Sequence, residues 1–164
     1  MRHTLVALVE DKPGVLNRVA SLFRRRVFNI ESLTVGHTDQ PGISRMTIVI
    51  DSNQTNAERV TAYLHKLINV IYVGNLAEKP SVSRDLALIK VKASVEVGKI
   101  ADRYGARILD HSDGLMVVES SDQEERVEML INELRPLGII ELVRTGVVAM
   151  GQGDLIVQTD RTLA

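Results

Sequence analysis

The residues with the clearest chemical potential form a short segment near the start of the chain, E-D-K-P-G-V-L at residues 10–16. The segment lies between an apolar run typical of a strand, residues 4–9, and a helical pattern that begins at Val15. A strand, a Pro-Gly turn and a helix start direct several unpaired backbone N–H groups, backed by the helix dipole, at one spot. Anions bind at such ends, and Gly14 lets a ligand approach because it has no Cβ. The segment predicts a site that holds a small acid, such as an amino acid, rather than transforms it.

An ordinary helix start is the competing interpretation of this segment. Asp at a cap and Pro in the first turn are common where helices begin. Asn29, which precedes the second predicted strand, favours a binding site, because its neutral amide both donates and accepts and so serves either end of an amino acid. In a ferredoxin-like fold Asn29 comes near the start of the first helix only through dimer packing or a returning loop.

Composition narrows the class of protein. The 164 residues suit one ordinary domain or two small ones, and a hydrophobic fraction of 45% permits a core. A net charge of -1 predicts no attraction to nucleic acid or to a membrane. The chain has no cysteine, no apparent signal peptide and no apolar run near the roughly 18 residues of a membrane span. We therefore expect a cytoplasmic protein.

The sequence shows no catalytic or metal-binding pattern. The histidines lack the spacing of metal ligands; they are His3, His37, His65 and His111. The segment G-Q-G-D at residues 151–154 lacks the Lys-Ser/Thr ending of a phosphate loop. No nucleophile, base and orienting group occur together in a motif. We therefore expect no catalytic residue, no metal and no cofactor in this chain.

Apolar periodicity divides the chain into two halves with the same order of elements. In the first half, four predicted strands and two predicted helices follow the β-α-β-β-α-β order of a ferredoxin-like fold. The second of these helices is predicted from Thr55 to Leu67. In the second half, the S-x-x-E pattern of Ser121 and Glu124 predicts a capping box at the start of the last helix. We predict an α+β protein with two ferredoxin-like domains.

The expected domain boundaries follow from a polar stretch around Pro80. The first domain comprises residues 1–77, the linker residues 78–83 and the second domain residues 84–164, which end in a loosely ordered tail from Gly151. A four-stranded sheet with helices on one face leaves its other face uncovered, and the predicted strands carry apolar residues on both sides. We expect such uncovered faces to be interfaces, and hence a homodimer or larger assembly through the first domain.

Longer motifs carry a resemblance to a known family. The first half resembles an ACT domain, a ferredoxin-like module that binds amino acids and regulates metabolic enzymes. The segments N-I-E-S-L-T-V at residues 29–35 and T-D-Q-P-G-I-S-R-M-T-I at residues 38–48 closely resemble the regulatory small subunits of acetolactate synthase, also called acetohydroxyacid synthase. R-D-L-A-L-I-K-V at residues 84–91 and R-T-G-V-V-A-M-G-Q-G at residues 144–153 extend the resemblance through the second half.

The resemblance implies a function. In that family the catalytic large subunit carries thiamine diphosphate, magnesium and FAD, and the small subunit carries none of them. The small subunit activates the catalytic subunit and confers feedback inhibition by valine, which binds between two ACT domains of a dimer. The valine contacts of the family correspond here to Asp11, Gly14, Val15, Leu16, Asn29 and Ile30.

The resemblance also implies a role for each group. Backbone N–H groups near Gly14 and Leu16 hold the carboxylate, Asn29 of the partner subunit bridges the ammonium and the carboxylate, and apolar side chains including Ile30 enclose the isopropyl group. Asp11 stands where the family usually has Asn, and its carboxylate would pair with the ammonium but repel the carboxylate. The alternative function is a free-standing ACT-repeat amino-acid sensor that acts on another protein or on gene regulation.

Overall fold

The computed structural model describes residues 2–51, 56–77 and 79–158. The chain forms two compact units: one contains the residues up to Val82 and the described residues from Val148, and the other is Ser83–Val147. Each unit is built from antiparallel strands and two helices, which confirms the predicted α+β class and the two β-α-β-β-α-β plans. No helix in the described ranges is long and apolar enough to cross a membrane.

The first unit contains a four-stranded sheet in the order β2-β3-β1-β4. Its elements are β1 Arg2–Glu10, α1 Val15–Arg26, β2 Ser32–His37, β3 Ile43–Asp51, α2 Ala57–Leu64 and β4 Val70–Asn75. Alternate residues of β1 and β3 face the helices, because side chains alternate across a strand. The core between sheet and helices includes Leu5, Ala7, Val9, Val19, Phe23, Met46, Ile48, Ile50, Val60 and Leu64.

The helix predicted from Thr55 to Leu67 is shorter in the structure. It is α2, which begins at Ala57 after the cap residue Asn56, whose side chain accepts a hydrogen bond of 2.9 Å from the N–H of Arg59. Thr55 lies outside the described residues. The helix ends at Leu64 because the chain then turns toward β4 through local hydrogen bonds, such as that from the N–H of Leu67 to the carbonyl of Leu64.

The second unit repeats the plan with the order β6-β7-β5-β8. Its elements are β5 Ser81–Lys92, α3 Val95–Tyr104, β6 Arg107–Ser112, β7 Leu115–Asp122, α4 Glu124–Leu134, a short 3-10 helix Arg135–Leu137 and β8 Ile139–Arg144. The core includes Ala87, Ile89, Val91, Val97, Ile100, Val118, Val127, Leu130, Ile131 and Leu134. The predicted capping box is absent, because Ser121 continues β7 opposite Leu86 and α4 begins only at Glu124, after Gln123.

An ion pair with a buried carboxylate links β5 to β8 in the second unit. The carboxylate of Asp85 is 1% exposed, and the Nε and Nη2 groups of Arg144 both donate to its Oδ2 atom, the Nε at 2.8 Å. Nη1 of Arg144 donates to Oε2 of Glu128 at 2.8 Å. Burial lowers the pKa of Arg144, but the hydrogen bonds that it donates to Asp85 and Glu128 outweigh this effect, so the pKa is above its usual value.

The segment after β8 departs from the expected domain boundaries. The chain leaves the second unit at Val147, and β9, Val148–Gly151, is grouped with the first unit. It pairs with β5, whose first two residues, Ser81 and Val82, also belong to the first unit. Ala149 is 7% exposed and packs with Val6 and Leu76, together with the partly buried Leu155 and Val157. Apolar side chains on the far face of the first sheet provide this packing surface. The predicted linker is also shorter, since β5 already begins at Ser81.

The far face of the first sheet is therefore not open. Val6, Leu8, Thr47 and Val49 are each at most 3% exposed although no helix of the unit covers this face. The expectation of an uncovered face in the first domain is wrong, because the chain's own C-terminal segment lies against it. In the second unit the corresponding face is accessible, with Val143 52% exposed.

Shortening one side chain of the C-terminal segment tests this packing. Leu155→Ala is expected to lower the free energy of unfolding of the full chain by about 1–2 kcal/mol, roughly half the cost for a fully buried leucine, because Leu155 is only partly buried. The neighbouring Ile156, 62% exposed, is the matched control, and Ile156→Ala is expected to change stability by less than about 0.5 kcal/mol. Urea unfolding compares them; equal midpoints would contradict the packing.

Candidate functional site

The segment that follows β1 is a tight turn that leads directly into α1. Gly14 has φ 86° and ψ -7°, which fits the third position of a type II turn, where a positive φ is required. The N–H of Val15 donates to the carbonyl of Lys12 at 3.3 Å and closes the turn, with Pro13 in the second position. The predicted order of strand, Pro-Gly turn and helix is confirmed.

This turn leaves backbone donors at the start of α1. The N–H of Val15 is used in the turn, and the N–H of Arg18 donates to the carbonyl of Gly14 at 3.0 Å as the first helical bond. Leu16 and Asn17 lie between these two residues, and their N–H groups have no hydrogen-bond acceptor within the described chain. They lie at the positive end of the helix dipole, so they can bind an anionic oxygen.

The turn is held in place by two other loops. The N–H of Glu10 donates to the carbonyl of Asn69 at 2.9 Å, and the N–H of Asp11 donates to the carbonyl of Gly42 at 2.8 Å. Asn69 is 9% exposed; its Nδ2 donates to Oε2 of Glu10 at 2.5 Å, and its Oδ1 accepts from Nη1 of Arg18. This network fixes the turn before any ligand arrives. Sequence reasoning missed Asn69, because Glu10 and Asn69 lie 59 residues apart.

The predicted polar residue of the turn, Asp11, lies at the rim of the site. Its Oδ2 is 3.3 Å from Nδ1 of His37, the last residue of β2, and both side chains are exposed. Asp11 is therefore available to a cationic group of a ligand. His37 gave no signal of its own in the sequence, because only the pairing of β2 with β3 brings it beside the turn.

Two of the other predicted contacts have different surroundings. Val15 is 4% exposed and packs into the core, so that only its backbone faces the turn. Leu16 is 47% exposed beside it, which leaves an apolar side chain for a ligand to contact. Gly14 is open to solvent, and a Cβ at that position would meet no atom within 4 Å. A ligand therefore has direct access to the backbone at Gly14.

Asn29 and Ile30 lie far from the turn within one chain. They precede β2, and the N–H of the next residue, Glu31, donates to the carbonyl of Val49 near the end of β3. Asp11 bonds to Gly42, at the other end of β3, so that the two halves of the predicted site are separated by a whole strand, about 20 Å. A single chain therefore does not bring all six predicted residues together.

The described residues offer no obvious metal site. No group of three or more His, Asp or Glu side chains within the described ranges is arranged to bind a metal ion. The turn instead presents backbone donors, one carboxylate and an apolar side chain. This set matches the groups of a small zwitterion with an aliphatic side chain.

Comparisons with known proteins agree over most of the chain. Residues 5–72 match a family model described as the AHAS small subunit-like ACT domain, and residues 84–153 match one described as the small subunit of acetolactate synthase. A solved structure, the acetolactate synthase small subunit from Thermotoga maritima, is 34% identical, with a TM-score of 0.86 over 94% of this chain and 99% of that chain.

Sequence relatives carry the same description. The acetolactate synthase small subunit of Mycobacterium leprae is 47% identical over 97% of this chain and 96% of its own length. A probable acetolactate synthase small subunit of Archaeoglobus fulgidus is 47% identical over 94% of this chain and 99% of its own length. A small subunit with an ACT regulatory domain fits a non-catalytic role beside a catalytic large subunit. The chain therefore belongs to the family of acetolactate synthase small subunits.

Proposed function

We propose that this chain activates the catalytic large subunit of acetolactate synthase in branched-chain amino-acid biosynthesis and confers feedback inhibition by valine. The observation that carries the proposal is the preformed turn at Gly14, whose backbone donors, adjacent carboxylate and exposed leucine suit an aliphatic amino acid. Thiamine diphosphate, magnesium and FAD belong, in this proposal, to the catalytic subunit alone.

The ligand site is proposed to need two copies of the chain. β2 is an edge strand of the first sheet, and pairing of two such edges about a two-fold axis runs the strands antiparallel. Because Asn29 lies at one end of β2 and the turn lies near the other, such pairing carries Asn29 of the partner subunit toward Asp11 and Gly14. The long separation within one chain thus becomes a short one between two chains.

Each part of valine then has a partner of matching chemistry. The carboxylate accepts from the N–H groups of Leu16 and Asn17, and hydrogen bonds to a charged group contribute about 1.5–3 kcal/mol each. The ammonium lies between Asp11 and Asn29 of the partner subunit. The isopropyl group contacts Leu16 and Ile30 of the partner subunit. Asp11 strengthens binding of the ammonium and weakens that of the carboxylate, so it changes the affinity for valine, leucine and isoleucine alike, whereas the contacts of Leu16 and Ile30 set the order among them.

Two measurements test the proposal as a whole. Copurification with a catalytic subunit that depends on thiamine diphosphate separates a regulatory subunit from a free-standing sensor. Calorimetry of the full chain with valine, leucine and isoleucine then identifies the effector. Failure of the chain to change acetolactate formation by its catalytic partner, with or without valine, would contradict the proposed function.

We expect the full chain to sediment as a dimer or larger assembly at micromolar concentration. Val35 on β2 is 43% exposed, and Val35→Glu is expected to shift the equilibrium toward monomer, because two-fold pairing places like charges near each other. Ile68, 87% exposed between α2 and β4, is the control, and Ile68→Glu is expected to leave the assembly unchanged. An unaltered chain that sediments as a monomer with and without valine would contradict the composite site.

A further inference from the structure

A cavity of about 460 Å³ lies in the first unit, on the face of the sheet away from the helices. It is bounded on one side by β1, β3 and the turn after β2, and on the other by the chain from Met150 to Gln158. Its volume falls within the range of small-molecule pockets, about 300–1,000 Å³. The cavity borders the turn at Gly14 through His37, which lines the cavity and contacts Asp11 of the turn. Neither Asp11 nor Gly14 lines it, and the inference does not depend on the proposed function.

Arg45 brings a positive charge to this cavity. It stands on β3 between Leu8 and Gly36 and is half-buried, and its Nη2 donates to the carbonyl of Ala149 at 2.6 Å. Burial lowers the pKa of Arg45 below its usual value, and the electrostatic effect of Tyr72 offsets this only in part. In the described part of the chain no carboxylate forms an ion pair with it. The guanidinium has five N–H donors, so it can still bind a carboxylate.

Asp39 brings a negative charge to the same cavity from a rigid turn. The hydroxyl of Thr38 accepts from the N–H of Gln40 at 3.1 Å, and the N–H of Thr38 donates to the carbonyl of Ile43 at 3.1 Å. These bonds fix the turn that carries Asp39. Asp39 lines the cavity and forms no ion pair with Arg45 or any other described residue.

The remaining lining of the cavity combines aliphatic residues with polar ones, the polar ones being His37, Thr38, Gln40 and Gln158. Leu8 lies on the sheet side, and Leu155, Ile156 and Val157 lie on the side of the C-terminal segment. A cation and an anion that line one cavity without pairing, beside aliphatic walls, are complementary to a zwitterion with an apolar side chain. A plain carboxylic acid would use Arg45 but leave Asp39 unused.

We propose that this cavity is an additional amino-acid site, which takes an aliphatic amino acid with its carboxylate on Arg45 and its ammonium on Asp39. The ligand contacts both β3 and the segment after β9, so its binding holds that segment against the sheet. One such site exists in each chain, in addition to the site at the turn.

Calorimetric titration of the full chain with L-leucine tests the additional site. Two classes of binding are expected, of which one weakens at least tenfold in R45Q and in D39N, the loss expected for a hydrogen bond to a charged group. Arg59 on α2 is exposed and serves as the matched control, so R59Q is expected to bind like the unaltered chain. Neither 4-methylpentanoic acid, which lacks the ammonium, nor 3-methylbutylamine, which lacks the carboxylate, is expected to replace leucine.

Asn29→Ala keeps the two sites distinguishable. It is expected to remove only the class of binding at the turn, so a remaining class that is sensitive to R45Q supports the additional site even if valine does not act at the turn. Leucine binding by R45Q and D39N that equals binding by R59Q would overturn the proposal, and so would equally tight binding of the acid or the amine. If R45Q loses the native circular dichroism spectrum, D39N, on an exposed turn, decides the result.

Discussion

Arg144→Met is expected to lower the free energy of unfolding of the second unit by about 3–5 kcal/mol. The substitution leaves the carboxylate of Asp85, 1% exposed, without the guanidinium that donates to it twice. A hydroxyl of Thr145 at 3.5 Å is too long a contact to replace those bonds. Methionine keeps much of the side-chain volume, so that the loss reports the unpaired charge instead of a cavity.

Urea unfolding of the full chain measures this loss, with Arg103→Met as the matched control. Arg103 pairs with Glu133 at 2.8 Å, but its side chain is 58% exposed, so its removal is expected to cost less than about 1 kcal/mol. The double variant Asp85→Asn with Arg144→Met removes both charges and is expected to recover part of the stability. Equal unfolding midpoints for the two single variants would show that Asp85 does not need its partner.

Local sequence patterns predicted the repeated fold well. The apolar run of β1, the alternation along β3 and the helical spacing of Leu16, Val19, Ala20 and Phe23 are set by neighbours within a few residues. Val19 and Phe23 are buried as that spacing predicts, whereas Leu16 and Ala20 are exposed and Val15 is buried instead. The turn at Gly14 was predicted for the same reason, since Pro followed by Gly favours a type II turn.

Features that depend on residues distant in sequence could not be predicted from local patterns. The segment from Val148 has no periodicity that marks its destination, and only the apolar far face of the first sheet determines where Leu155 and Val157 pack. The capping box at Ser121 failed because pairing of β7 with β5 takes that residue into a strand. Local preference is weak beside such tertiary pairing.

In the candidate site, too, contacts between sequence neighbours were predicted and contacts between distant residues were not. Asp11, Gly14 and Leu16 are neighbours in sequence and lie together in the structure. Asn69 and His37 reach the turn only through the sheet and its loops, so no sequence pattern identified them. Asn29 differs from both, because the resemblance to the family assigned it to the same site as the turn. Within one chain, however, Asn29 lies about one strand length from the turn.

Gly14→Asp is expected to weaken valine inhibition of the reconstituted enzyme by more than tenfold relative to Gly14→Asn. At an effective dielectric near 20, two like charges about 4 Å apart repel by roughly 4 kcal/mol, and half of that already exceeds a tenfold loss of affinity. The Asn side chain has the same shape without the charge, so the difference between the two variants reports repulsion of the ligand carboxylate.

The paired design is needed because Gly14 has a φ of 86°. A side chain there is strained by roughly 1–2 kcal/mol, although Asp and Asn tolerate the left-handed region better than other residues. Helix starts favour Asp, but that preference does not remove the strain at this φ, and both variants carry it equally. Acetolactate formation across a valine titration is the assay, with activation by the two variants expected to match. The same inhibition curve for Gly14→Asp and Gly14→Asn would mean that no carboxylate binds beside Gly14, and the turn would then be an ordinary helix start.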